Sequence, residues 1–214
     1  MQNALIPLAP SDFPIPAIDT RLLDELIQPR LTLFWGTQEP TRTLLAAATV
    51  MASRGLPLRL FDGGNRFDGY FVARLARRLS GHPRATLGRI RISRAFTCFQ
   101  LAELIENAPA SPEPLFVLDL LATFYDESVP LPDSERLLSN TITHLKRLAT
   151  IGPVIVGARQ PPTLVAPRPS TGGLALDRRV QDRGILLDSL QAAADAAWMM
   201  RAPLVEEPAQ PRLF

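Results

Sequence analysis

The run FWGTQEPTRTLL places Gly36 and Thr43 at the first and last fixed positions of a phosphate-binding loop of the form G-x-x-x-x-G-K-[ST]. In such a loop successive backbone N–H groups point at an anion, and the final hydroxyl ligates Mg²⁺. Gly36, Thr37, Thr41, Arg42 and Thr43 are therefore the candidate nucleotide contacts, and Thr43 is a candidate magnesium ligand. Thr41 stands where the second glycine belongs, and Arg42 stands where the lysine belongs. Pro40 removes one N–H donor, Thr41 adds a side chain where glycine permits close approach, and a planar guanidinium is not a compact ammonium. The same residues also read as helix-start chemistry, with Thr41 as N-cap and Pro40 at the helix entry.

Two carboxylates end apolar runs. Asp119 closes LFVLD, where a magnesium-side aspartate sits in a phosphate-loop fold. Asp62 closes LRLFD and is followed by Gly63, Gly64 and Asn65. Each also reads as a turn former or helix cap after a strand. No Ser-His-Asp or Cys-His arrangement suggests itself, so no residue is assigned a catalytic role. Cys98 is the single cysteine, which excludes an intramolecular disulfide and a cysteine-based zinc site. His82 and His144 are too few and too far apart for a histidine cluster. Cys98 reads as an inert buried thiol and His144 as structural, while Trp35, Phe99 and Trp198 read as core.

Positioning these residues requires a scaffold, and 214 residues with 46% hydrophobic content supply one domain with a real core. The formal net charge is +2, so strong charge does not drive behaviour. Of the 23 basic side chains only Lys146 is a lysine. The 21 prolines are about twice the usual share, and they punctuate periodic segments. Helices are expected at 22–27, 41–53, 69–80, 97–107 and 133–149. Strands are expected at 31–35, 58–62, 89–93, 115–119 and 153–157, with closing strands at 185–188 and 196–200 around a short helix. Short apolar strands alternating with helices argue an α/β domain, its mostly parallel central sheet flanked by helices on both faces. The expected domain runs over 1–202, and 203–214 is a Pro-rich tail. Prolines interrupt the apolar N-terminus, which does not read as a signal peptide, and no apolar run approaches the ~18 residues of a membrane span. A cytoplasmic protein without a membrane partner is expected.

Basic residues concentrate in two places. The stretch 69–102 carries Arg74, Arg77, Arg78, Arg84, Arg89, Arg91 and Arg94 with no acidic residue. On the 69–80 helix Phe71, Val72, Leu75 and Leu79 form the apolar stripe, leaving Arg74, Arg77 and Arg78 on the other side. That face suits nucleic-acid phosphates and reads alternatively as a solvated arginine-rich surface. The Pro- and Gly-rich segment 158–184 carries Arg159, Arg168, Arg178, Arg179 and Arg183 against Asp177 and Asp182. It lacks aromatics on which bases would stack.

The order and spacing of several segments resemble the core of RecA/RadA-type recombinase ATPases. FPIPAIDTRLLDELIQPRLTLFWG resembles the entry to that core, LFDGGNRFDGYFVARLARR the segment after its second strand, and RIRISRAFTCFQLAELIE the following strand and helix. LFVLDLLATFYDE resembles the Walker-B strand, and THLKRLATIGPVIVGARQ the next helix and strand, covering about 11–200 in all. The resemblance implies a RecA-like P-loop fold with a degenerate Walker A motif, Asp119 as the Walker-B aspartate and magnesium ligand, and Gln160 as a nucleotide-sensing glutamine. It implies DNA contacts from the 158–184 loop, while the second DNA loop corresponds to 126–135, here carrying Asp126, Glu127, Asp133 and Glu135. The family's catalytic glutamate aligns near Gly63–Asn65, where no acidic residue occurs. The expectation is a recombinase paralog in DNA recombination or repair with little or no ATPase activity. It would require no cofactor and bind ATP and Mg²⁺ at most weakly. Its expected partners are single-stranded or duplex DNA, a catalytic recombinase or repair protein, and further copies in a homo- or hetero-oligomer. Two rivals stand beside it: an interaction module that lost nucleotide and DNA, and an ATPase with an arginine-adapted loop completed by a neighbouring subunit.

Overall fold

The computed structural model describes residues 20–36, 40–161 and 183–200. The elements run α1 (Thr20–Leu26), β1 (Leu31–Gly36), α2 (Thr41–Ser53), β2 (Leu58–Asp62), α3 (Gly69–Leu79), α4 (Pro83–Gly88) and β3 (Ile90–Arg94). They continue with α5 (Cys98–Glu106), β4 (Leu115–Leu118), α6 (Leu131–Ala149), β5 (Val154–Arg159), α7 (Gly184–Ala193) and β6 (Ala196–Met200). Among the described residues six strands form one sheet in the order β3-β2-β4-β5-β1-β6, and every pairing is parallel.

Parallel neighbours need crossovers, and right-handed crossovers fix the face on which each helix lies. The chain runs from β1 to β2 to β3 toward one edge, then returns through β4 and β5 toward β6. Helices on the outward path therefore cover one face and those on the return path cover the other. The core divides accordingly. Leu22, Leu26, Leu44, Met51, Val72 and Leu75 pack with Phe34, Leu60, Phe116 and Ile155. Leu101, Ile105, Leu138, Leu145 and Leu186 pack with Leu33, Phe61, Val117 and Val156. Alternation along β4 and β5 sends successive side chains into opposite clusters, as a strand buried on both faces requires.

Within α2 every residue from Thr43 to Ala52 is buried, so its run of small alanines lets the sheet and neighbouring helices approach on all sides. The segment expected as a strand at 185–188 is instead the first half of α7. Its Leu186, Leu187 and Leu190 follow helical spacing onto the core, a pattern that the three apolar residues of ILLD alone do not distinguish from a strand. The helix α4, with Pro83 at its start, is an element that the periodicity did not suggest. The proposed tail at 203–214 lies outside the described residues, and none of the described helices is long and apolar enough to cross a membrane.

Register brings the carboxyl ends of the strands level. Asp62 lies opposite Arg94 and Leu118, while Gly36 lies opposite Arg159 and Met200. Polar residues widely separated in sequence thus line one rim of the sheet, where open α/β folds carry their ligand sites.

Candidate functional site

Asp62 ends β2 wholly buried, and the chain folds back around its carboxylate. The backbone N–H groups of Arg66 and Phe67 donate to Oδ1 and Oδ2 at 2.8 and 3.1 Å, and Arg94 Nε lies 3.2 Å from Oδ2. The turn passes through Asn65 at φ +53°, a region that Asn tolerates better than most residues. Gly64 rests directly on the second carboxylate: a Cβ there would lie 2.8 Å from both Cβ and Oδ2 of Asp119.

Asp119 follows β4 at φ +47°, buried. Its Oδ2 lies 3.2 Å from Arg159 Nε at the end of β5 and 3.5 Å from Arg66 Nε in the loop after β2. Both arginines are partly solvated, whereas the carboxylate is not. Tyr125 closes the other side and donates its hydroxyl to the Arg159 carbonyl at 3.1 Å. Burial first, and then the negative charge of Asp119, push the Tyr125 phenol well above its ordinary range, against an opposing pull from Arg159.

The loop residues take other roles. A Cβ on Gly36 would meet the Met200 carbonyl oxygen at 2.0 Å, so the close approach of β6 already accounts for glycine there. The Gly36 carbonyl accepts from the backbone N–H of Gln160 at 3.1 Å, which ties the two strand ends together. Thr41 begins α2 rather than capping it: Pro40 holds the cap position at φ −71°, no side chain caps the helix, and the Pro40 carbonyl accepts from Leu44 N–H at 3.0 Å. Thr41 and Thr43 are both buried. Arg42 is exposed and lies with its guanidinium carbon 5.1 Å from the centroid of the Phe71 ring on α3, a cation–π arrangement. Thr37 lies outside the described residues.

Among the basic candidates, Arg74, Arg77 and Arg78 project from the exposed face of α3, opposite the buried Val72, Leu75 and Ala76. Arg159 lies on the rim but is engaged with Asp119. Arg183 departs from the expectation of a phosphate contact. It is buried, and its guanidinium donates to the carbonyls of Phe124 and Val129 at 2.6 and 2.8 Å, anchoring the start of α7 to the loop after β4. Arg168, Arg178 and Arg179 lie outside the described residues.

Sequence reasoning missed Arg66, Arg94 and Tyr125, whose partners come from other strands and are invisible to local pattern. The Asp62 turn was legible, because Gly-Gly-Asn after a strand-ending aspartate is turn chemistry. Phe99, expected in the core, is 56% exposed, and Trp198 is 45% exposed while stacking on Phe34 at 6.3 Å between ring centroids. Cys98 is buried, and burial raises its thiol above the ordinary range, in keeping with an unreactive group. His144 stands 3.8 Å from Glu106 and joins α6 to α5. Among the described residues, no three of His, Cys, Asp and Glu group closely enough to hold a metal ion. Compared with known proteins, the chain matches no family model and no curated sequence.

Proposed function

We propose that this chain is a RecA-like domain that has given up phosphoryl transfer and serves DNA recombination or repair as a DNA-binding accessory. The observation that carries the reading is the state of Asp119. The carboxylate that would face magnesium is buried against Arg66 and Arg159. A cation would reach this carboxylate only by displacing two guanidiniums that already compensate its charge, and both arginines would have to swing away first. Gly36 is filled by β6 and Arg42 is turned onto Phe71, so this arrangement of residues does not fit a magnesium-bound nucleotide. The DNA part of the reading draws on Arg74, Arg77 and Arg78, an exposed cationic face that gives affinity without sequence information.

The test measures ATP turnover and melting temperature in a titration of ATP with Mg²⁺. The expected result is no turnover and a flat melting temperature, since a ligand that does not bind the native state cannot stabilise it. Magnesium-dependent hydrolysis that disappears in Asp119→Asn would overturn the reading.

A second reading, a module that binds a protein partner, is favoured by Phe96 and Phe99, exposed by 69% and 56%. Phe96 lines an open cleft of about 760 Å³ between the β2–β3 edge and α5. Oligonucleotide affinity that falls steeply with salt separates the DNA reading from this one.

A further inference from the structure

The loop pattern assigns Arg42 to a nucleotide, yet its surroundings are those of a different site. It lines a small pocket of about 180 Å³ with Asp68, Tyr70, Phe71, Arg74 and Arg78. Residues 71, 74 and 78 share one stripe of α3 at helical spacing, and Arg42 reaches that stripe from the first turn of α2. The Phe71 ring holds the Arg42 guanidinium in place, so part of the ordering cost of binding is met before any ligand arrives. Asp68 is the one acid among the described residues of the lining, and its Oδ1 already accepts from Phe71 N–H at 2.8 Å as the N-cap of α3. Three guanidiniums thus converge against one carboxylate that is engaged with its own helix.

We infer that this pocket grips a backbone phosphate of single-stranded nucleic acid, with a base laid on Tyr70. The volume decides against a whole small molecule, because pockets for such ligands run from about 300 to 1,000 Å³. A phosphate group fits where a complete nucleotide does not, and the guanidinium geometry suits phosphate oxygens. Tyr70 is 71% exposed on the same lining and offers a stacking face, which a duplex, with its bases already stacked, does not use. The inference rests on the DNA reading above and moves Arg42 from a nucleotide loop into the nucleic-acid surface.

The experiment is fluorescence anisotropy of a labelled oligothymidylate with the full chain across a salt series, for wild type, Arg42→Ala, Arg42→Lys, Tyr70→Ala, Arg77→Ala and Arg136→Ala. Arg136, on α6, is the charge control, since its side chain is 85% exposed and pairs with Asp133 within its own helix. Arg42→Ala is expected to lower the slope of log affinity against log salt by about 0.7, the loss of one single-strand phosphate contact. Tyr70→Ala should weaken binding roughly 5- to 150-fold with the slope unchanged. Arg42→Lys should keep the slope and lose affinity, because an ammonium retains the charge without the planar stack. Arg77 is outside the pocket, so Arg77→Ala should cost less than Arg42→Ala.

Wild-type binding indifferent to both Arg42→Ala and Tyr70→Ala would overturn the pocket and leave the broader DNA reading standing. Equal losses in Arg136→Ala would overturn it in the same way. Absence of oligonucleotide binding at low salt would overturn both. Unchanged melting temperatures, expected because Arg42 and Tyr70 are exposed, show that the variants report on binding rather than folding.

Discussion

The rim of the sheet and the outer face of α3 use the same residue type in opposite ways. At the rim, Arg66 and Arg159 lie against Asp119 and Arg94 lies against Asp62, both carboxylates buried. On α3, Arg74, Arg77 and Arg78 stand in solvent, and Arg42 is joined to them through an aromatic ring rather than an acid. A guanidinium against a buried carboxylate has its charge compensated; one beside an aromatic ring in solvent keeps its donors exposed. The arginines of this chain therefore fall into two groups, those paired with buried carboxylates at the rim and those left in solvent on α3.

The contrast is broken most forcefully from the inside. The double substitution Arg66→Ala/Arg159→Ala removes both guanidiniums from a buried carboxylate and is expected to cost about 3–5 kcal/mol, read by urea denaturation. Gly64→Ala presses a methyl group onto Asp119 and should cost about 1–3 kcal/mol in the same measurement. Tyr125→Phe removes the hydrogen bond to the Arg159 carbonyl and should cost about 1 kcal/mol. Because the folded protein holds the phenolic proton more tightly than the unfolded chain does, wild-type stability should decline as pH rises above about 10, the unfolded value. The Tyr125→Phe variant should show a shallower decline, the share of the buried Cys98 thiol remaining, which a series of alkaline melts would show. At the other extreme, Arg74→Ala and Arg78→Ala should change stability by less than about 0.5 kcal/mol while weakening oligonucleotide binding. A stability loss as large as that at the rim would show that α3 is not a free surface.

Local pattern carried the scaffold well. The apolar runs of β1 and β4 and the alanine-rich α2 lie where periodicity placed them, because strands buried on both faces read as near-continuous apolar runs. It failed where meaning depends on a distant partner. Gly36 has the same identity whether a phosphate or a strand approaches it, and the strand that does so ends at Met200. Arg183 sits in an arginine-rich, proline-rich stretch that looks solvated, yet the carbonyls of Phe124 and Val129 withdraw it from the surface. Phe99 is apolar, but the helical spacing of Cys98, Leu101, Ala102 and Ile105 sets the core face of α5 and leaves Phe99 56% exposed beside it.

The place of β1 in the sheet has a kinetic consequence. The first of the described strands lies between β5 and β6, the last two, so its ladder closes only with partners that are synthesised much later. Such non-local pairing raises contact order and slows folding. Among the described residues, the partners of β1 reach the growing chain only with residues 154–159 and then 196–200. Until then the apolar β1 segment lacks one or both of the sheet partners that flank it in the folded protein.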